Sequence, residues 1–124
     1  MSKSSFQAEG VPEPAGAYSH AVRAGGLVFT AGLGPQDPAT GAVPDGVAEQ
    51  TRQVMRNLRA VLESAGLTLD DVVKTTVHLQ HLDRDFVEFD AAYRACLTPP
   101  YPVRTTVGST LAGILVEIDM VAVA

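Results

Sequence analysis

The sequence predicts an α+β fold, a single domain in which two helices pack on one face of a small mixed β-sheet. Three observations predict it. Helical and strand periodicities alternate along the chain in the order strand, strand, helix, strand, helix, strand, strand. At 124 residues, the chain has room for one core that buries roughly two-thirds of its unfolded surface. The final strand is apolar on both alternating faces, as a strand between two layers must be.

Residues 1–16 are polar and interrupted by Pro12 and Pro14, which predicts a flexible N-terminal arm ahead of a domain over residues 17–124. Tyr18–Arg23 and Leu27–Gly32 read as short strands around a tight turn at Gly25-Gly26. Asp37-Pro38-Ala39-Thr40-Gly41 suits a β-turn and leads to Asp45 as a candidate helix cap. From Val47 to Ala65 the apolar residues Val47, Val54, Met55, Leu58, Val61 and Leu62 recur at three- and four-residue steps, and Gly66 stops the helix. Val72–Leu79 alternates with a period of two and is a third strand. Asp83 is a candidate cap for a second helix with Phe86, Phe89, Tyr93 and Cys96 on one side, and Pro99-Pro100 forbids its continuation.

Tyr101–Val107 and Leu115–Ala124 are two β-branched runs joined through Gly108 and Gly113, the pattern of a hairpin. Arg104 lies inside the first run. Glu117 and Asp119 lie inside the second, on one face with Leu115, Val121 and Val123. Charges in core-like strands require partners. Arg104 either bridges Glu117 or Asp119 across the sheet, or keeps its planar fork open for a ligand carboxylate, which leaves Glu117 to handle water. With both helices on one face, 124 residues leave nothing to cover the other, so a second subunit is expected there.

Composition narrows the function classes. The net charge of −5 and the scattered Lys and Arg residues argue against a polyanionic partner such as nucleic acid. Cys96 is the only cysteine, so no internal disulfide can form, and a reducing compartment fits. With no signal-peptide pattern and no run approaching the ~20 apolar residues of a membrane span, the expected location is the cytoplasm. His78 and His81, three apart on a continued strand, would face opposite sides and lack a Cys partner, so a metal site is not expected. His20, on a short edge strand, is expected to be exposed. Gly32-Leu33-Gly34 lacks the third glycine of a dinucleotide loop, and Ser109 lacks the context of a nucleophile elbow.

Gly16-Ala17-Tyr18, Val28-Phe29-Thr30-Ala31-Gly32, Asp37-Pro38-Ala39-Thr40-Gly41, Val73-Lys74-Thr75-Thr76-Val77, Pro102-Val103-Arg104-Thr105-Thr106-Val107 and Val116-Glu117-Ile118 occur in an order and spacing that resembles the RidA (YjgF-like) family of reactive-intermediate deaminases. The resemblance spans nearly all of the chain beyond the arm. It implies a chorismate-mutase-like fold and a homotrimer whose sheets form a central barrel, with a site in each cleft between subunits. It also implies cofactor-free hydrolysis of enamines and imines, of the 2-aminoacrylate and 2-iminopropanoate type, to 2-keto acids and ammonia. Carried over, Arg104 would hold the substrate carboxylate and Glu117 would position the attacking water. Tyr18 would border the pocket, and Thr30 and the backbone near Thr106 would complete it. Many relatives have cysteine where this chain has Thr106, Ser-Gly-Gln where it has Ala31-Gly32-Leu33, and asparagine where it has Asp90. These departures fall on the groups that would read the rest of the substrate, so a more apolar substrate fits them. The same Arg104 cleft could instead serve a non-catalytic module that binds small carboxylates, or a deaminase of aminoacrylate or aminomuconate type in a catabolic route.

Overall fold

The computed structural model describes residues 2–124. Nine elements follow the chain: β1 (Ser4–Phe6), β2 (Ala21–Ala24), β3 (Leu27–Thr30), α1 (Val47–Ser64), a 3-10 turn (Leu69–Asp71), β4 (Val72–Leu79), α2 (Leu82–Ala95), β5 (Val103–Gly108) and β6 (Val116–Val123). The six strands form one mixed sheet in the order β1-β2-β3-β6-β4-β5, and only β4 and β5 run parallel.

Both helices lie on one face, as the apolar spacing predicts. Val116, Ile118, Met120 and Ala122 of β6 are buried there with Val77 and Leu79 of β4, against Val54, Leu58, Val61 and Leu62 of α1 and Phe89 of α2. Among the described residues, no element covers the opposite face. Phe29 and Val123 are exposed on it, and Val121 and Asp119 are partly so.

Gly66 ends α1 in the left-handed region at φ 78°, where its N–H and that of Leu67 return to the carbonyls of Glu63 and Leu62. The helix starts differ from the sequence expectation. Gly46, not Asp45, is the N-cap of α1, and Gln50 Nε2 reaches back 2.9 Å to the Pro44 carbonyl. His81, not Asp83, is the N-cap of α2, so Asp83 falls in the first turn, where its charge suits the helix dipole.

Three further expectations are corrected. β5 and β6 do not form a hairpin, because β4 lies between them. The connection is carried across the end of β4 by hydrogen bonds, Ser109 N–H to Leu79 O (2.9 Å), Leu111 N–H to Gln80 Oε1 (2.6 Å) and Gln80 N–H to Leu115 O (3.0 Å). β4-α2-β5 is therefore a parallel crossover unit, which two β-branched runs either side of a glycine turn cannot reveal. Next, the segment read as a loose arm carries β1, paired with β2, and buries Ala8 and Val11 in the core. Finally, His20 is buried and helps to hold that segment. Its Nδ1 accepts from Ala8 N–H at 2.9 Å and its Nε2 donates to Pro12 O at 2.7 Å.

Candidate functional site

Arg104 sits on edge strand β5 in register with Thr75 of β4. Thr75 is buried on the helix side, 2.8 Å from the hydroxyl of Tyr93 on α2, so Arg104 also points toward α2. Its guanidinium lies 4.9 Å from the Tyr93 ring, 5.5 Å from Phe89 and 5.7 Å from Phe86, an aromatic seat favourable to a cation. Arg104 NH1 donates to Asp90 Oδ1 at 2.7 Å, and Asp90 Oδ2 accepts from Arg94 NH2 at 2.9 Å. Of the two alternatives left open for Arg104, the bridge to Glu117 or Asp119 is absent among the described residues, and Asp90 on α2 is its ion-pair partner. Among the described residues, Arg104 makes no other hydrogen bond. Arg104 borders a cavity of about 260 Å³ that is also lined by Asp90, Tyr93, Arg94, Tyr101 and Pro102. Burial against this wall pushes the Tyr93 phenol above its ordinary pKa, so it stays a neutral hydrogen-bonding group.

Glu117 pairs with His78 of β4, three residues beyond Thr75. An odd offset along a strand reverses the face, so Glu117 lies on the side away from the helices. It lines a second cavity of about 400 Å³ together with Tyr18, His20, Leu33, Gln36 and Ile114. Tyr18 is half exposed there, its hydroxyl accepting from Ala15 N–H at 2.9 Å. No side-chain hydrogen bond or ion pair engages Glu117 among the described residues. Its seat depends on Gly32, because a Cβ there would overlap Oε1 and lie 3.1 Å from Cδ. That close approach is the local reason for a glycine in the loop leaving β3.

The structure thus brings Glu117 and Tyr18 together and leaves Arg104 in a different cavity. Thr30 joins neither. Its Oγ1 donates to Ala31 O at 2.8 Å and accepts from Met120 N–H at 2.9 Å, which occupies it between β3 and β6. Thr106 shares the helix-side face of β5 with Arg104 but does not line the Arg104 cavity. Asp119 is on the open face beside Lys74 and His78, and burial raises its pKa from the ordinary 3.8. His78 is 2.7 Å from Ser109 Oγ, and His81 is the N-cap residue of α2, so the two histidines do not converge. The contact that sequence reasoning missed is Asp90 with Arg104. The four-residue step from Asp90 to Arg94 was visible, but the approach of α2 to β5 was not.

The family model described as endoribonuclease L-PSP matches residues 9–124. A 2-iminobutanoate/2-iminopropanoate deaminase of Salmonella typhimurium is 39% identical over 128 residues, covering 99% of this chain and 98% of that protein. A RutC family protein of Pyrococcus horikoshii is 39% identical over 117 residues, 92% of each chain. The crystal structure of RidA from an Antarctic Psychrobacter species superposes with a TM-score of 0.92 at 34% identity, covering 98% of this chain and 99% of that one.

Proposed function

Because the chain belongs to the RidA (YjgF-like) family, which the endoribonuclease L-PSP model describes, we propose that it hydrolyses small enamine and imine intermediates to 2-keto acids and ammonia. The substrates would be of the 2-aminoacrylate and 2-iminopropanoate type. The observation that carries the reading is the open donor edge of Arg104 in an aromatic-walled cavity, since such a fork holds a carboxylate by two parallel hydrogen bonds. A net charge of −5 speaks against RNA as substrate.

In this reading Glu117, with Tyr18 at its border, acts on the same substrate from a second copy of the chain. Arg104 and Glu117 project from opposite faces of one protomer's sheet, so one protomer does not present both to one small molecule. The uncovered face with exposed Leu27, Phe29, Val103, Val107 and Val123 is where copies would meet, as a homotrimer with a site in each cleft.

With the carboxylate pinned by Arg104, an imine carbon sits at a fixed place and is already electrophilic. Glu117 orients a water and takes its proton as the oxygen adds to that carbon. Glu117 returns that proton to the imine nitrogen, which gives the neutral carbinolamine and restores the carboxylate. Glu117 then takes the carbinolamine hydroxyl proton and passes it to the nitrogen as the C–N bond breaks, so ammonia leaves and the 2-keto acid remains. No step calls for a cofactor.

The test generates the imine in place with an amino-acid oxidase and follows keto-acid release. Arg104→Ala should abolish the acceleration in a folded protein, and Arg104→Lys should recover little, because a point charge does not replace the fork. Saturable carboxylate binding by the unmutated protein without any acceleration would establish the binding-module alternative instead.

A further inference from the structure

We propose that Asp90 restricts the Arg104 cavity to substrates bearing a single carboxylate, by occupying the second cation that could hold another acidic group. The inference deepens the deaminase reading and rests on it for the identity of the substrate. Two arginines line the cavity, Arg104 and Arg94. Asp90 spans them, one oxygen 2.7 Å from Arg104 NH1 and the other 2.9 Å from Arg94 NH2.

The three side chains together carry one net positive charge, which one substrate carboxylate neutralises. Arg104 is three-quarters withdrawn from solvent on an aromatic seat, whereas the Arg94 side chain is 66% exposed and tied to Asp90 on its own helix. A dicarboxylate that placed one acid on Arg104 would bring its other acid up to Arg94, where the Asp90 carboxylate already sits. Like charges at that spacing repel, and the partly buried setting keeps screening incomplete. If Glu117 of a second copy closes the same cleft, its carboxylate adds to the penalty. The remaining lining, Tyr93, Tyr101 and Pro102, offers ring surface to an uncharged side chain.

Asp90→Asn isolates the charge, because the amide oxygen can still accept from Arg104 NH1 while the negative charge is gone. Calorimetric binding of succinate and propionate, which needs no turnover, should show the succinate-to-propionate affinity ratio rising about tenfold in Asp90→Asn relative to wild type. The kcat/KM ratio for the imines of aspartate and alanine should rise in parallel. Adding Arg94→Gln to Asp90→Asn should return the binding ratio to the wild-type value. An Asp90→Asn ratio that does not rise overturns the inference, as does a gain that survives removal of Arg94, whether or not imines turn over. Imine turnover by the wild type decides the deaminase reading separately, so the two can fail independently. A merely structural role for Asp90 would weaken both carboxylates together and leave the ratio unchanged.

Discussion

Arg104 and Glu117 lie on the two strands that flank β4, yet project from opposite faces of the sheet. Arg104 pairs with Thr75 on one side of β4, and Glu117 pairs with His78 on the other. The three-residue offset between Thr75 and His78 is what reverses the side-chain direction. If both act on one substrate, each site needs two copies of the chain.

That geometry predicts complementation. Alone, Arg104→Ala should be inactive and Glu117→Gln slower by roughly 10²-fold or more. Refolded together at equal amounts, they should form mixed assemblies in which about one site in four has both an intact Arg104 and an intact Glu117. Keto-acid release near that fraction is the expected result. No recovery in assemblies shown by mass spectrometry to be mixed would mean that each site lies within one protomer.

The uncovered sheet face predicts an oligomer held by apolar contact. Light scattering at micromolar concentration should give the mass of a trimer. Phe29→Asp, a charge placed opposite Val121 in the β3–β6 register, should dissociate it and abolish activity together. A wild-type monomer at that concentration would remove both the assembly and the shared site.

Asp119 predicts a pH dependence of stability. Burial raises its pKa in the folded chain, opposed in part by His78 and Lys74, so the folded state holds this proton more tightly than the unfolded state. By linkage, Asp119 costs stability as pH rises through the raised pKa and costs nothing below the ordinary value of 3.8. Asp119→Asn should therefore raise thermal stability at pH 7, by less than about 1 kcal/mol for so partly exposed a group. The gain should fade as the pH approaches 3.8. Equal stabilisation at both ends of the range would assign the effect to something other than the charge.

Periodicity made both helices, the helix-side core and the bare opposite face legible, because each depends on residues near in sequence. Strand order was not legible: β5 and β6 look like a hairpin until hydrogen bonds from the Ser109–Leu115 segment to the end of β4 are seen. His20 was unreadable for the same reason, since its partners at Ala8 and Pro12 come from a segment whose composition suggests disorder. The site was half legible. Arg104 and Glu117 stand out as charges within strands, but the Asp90 that orients Arg104 reaches it only through the packing of α2 on β5.

Gly32 and Glu117 give the sharpest test of which acid handles water. Glu117→Gln keeps the size of the side chain and most of its hydrogen bonding but cannot take a proton, so imine hydrolysis should fall by roughly 10²-fold or more with carboxylate binding retained. Gly32→Ala should act on the same step without touching the acid. Its Cβ would meet the Glu117 carboxyl group, the far end of a movable side chain, so Glu117 should swing aside rather than the fold give way. Turnover should drop at least about tenfold while thermal stability changes by less than about 1 kcal/mol. Combining the two substitutions should cost little more than Glu117→Gln alone, because both remove one positioned carboxylate. Additive losses in the double variant would separate Gly32 from Glu117, and a fully active Glu117→Gln beside an inactive Asp119→Asn would move the water-handling role to Asp119.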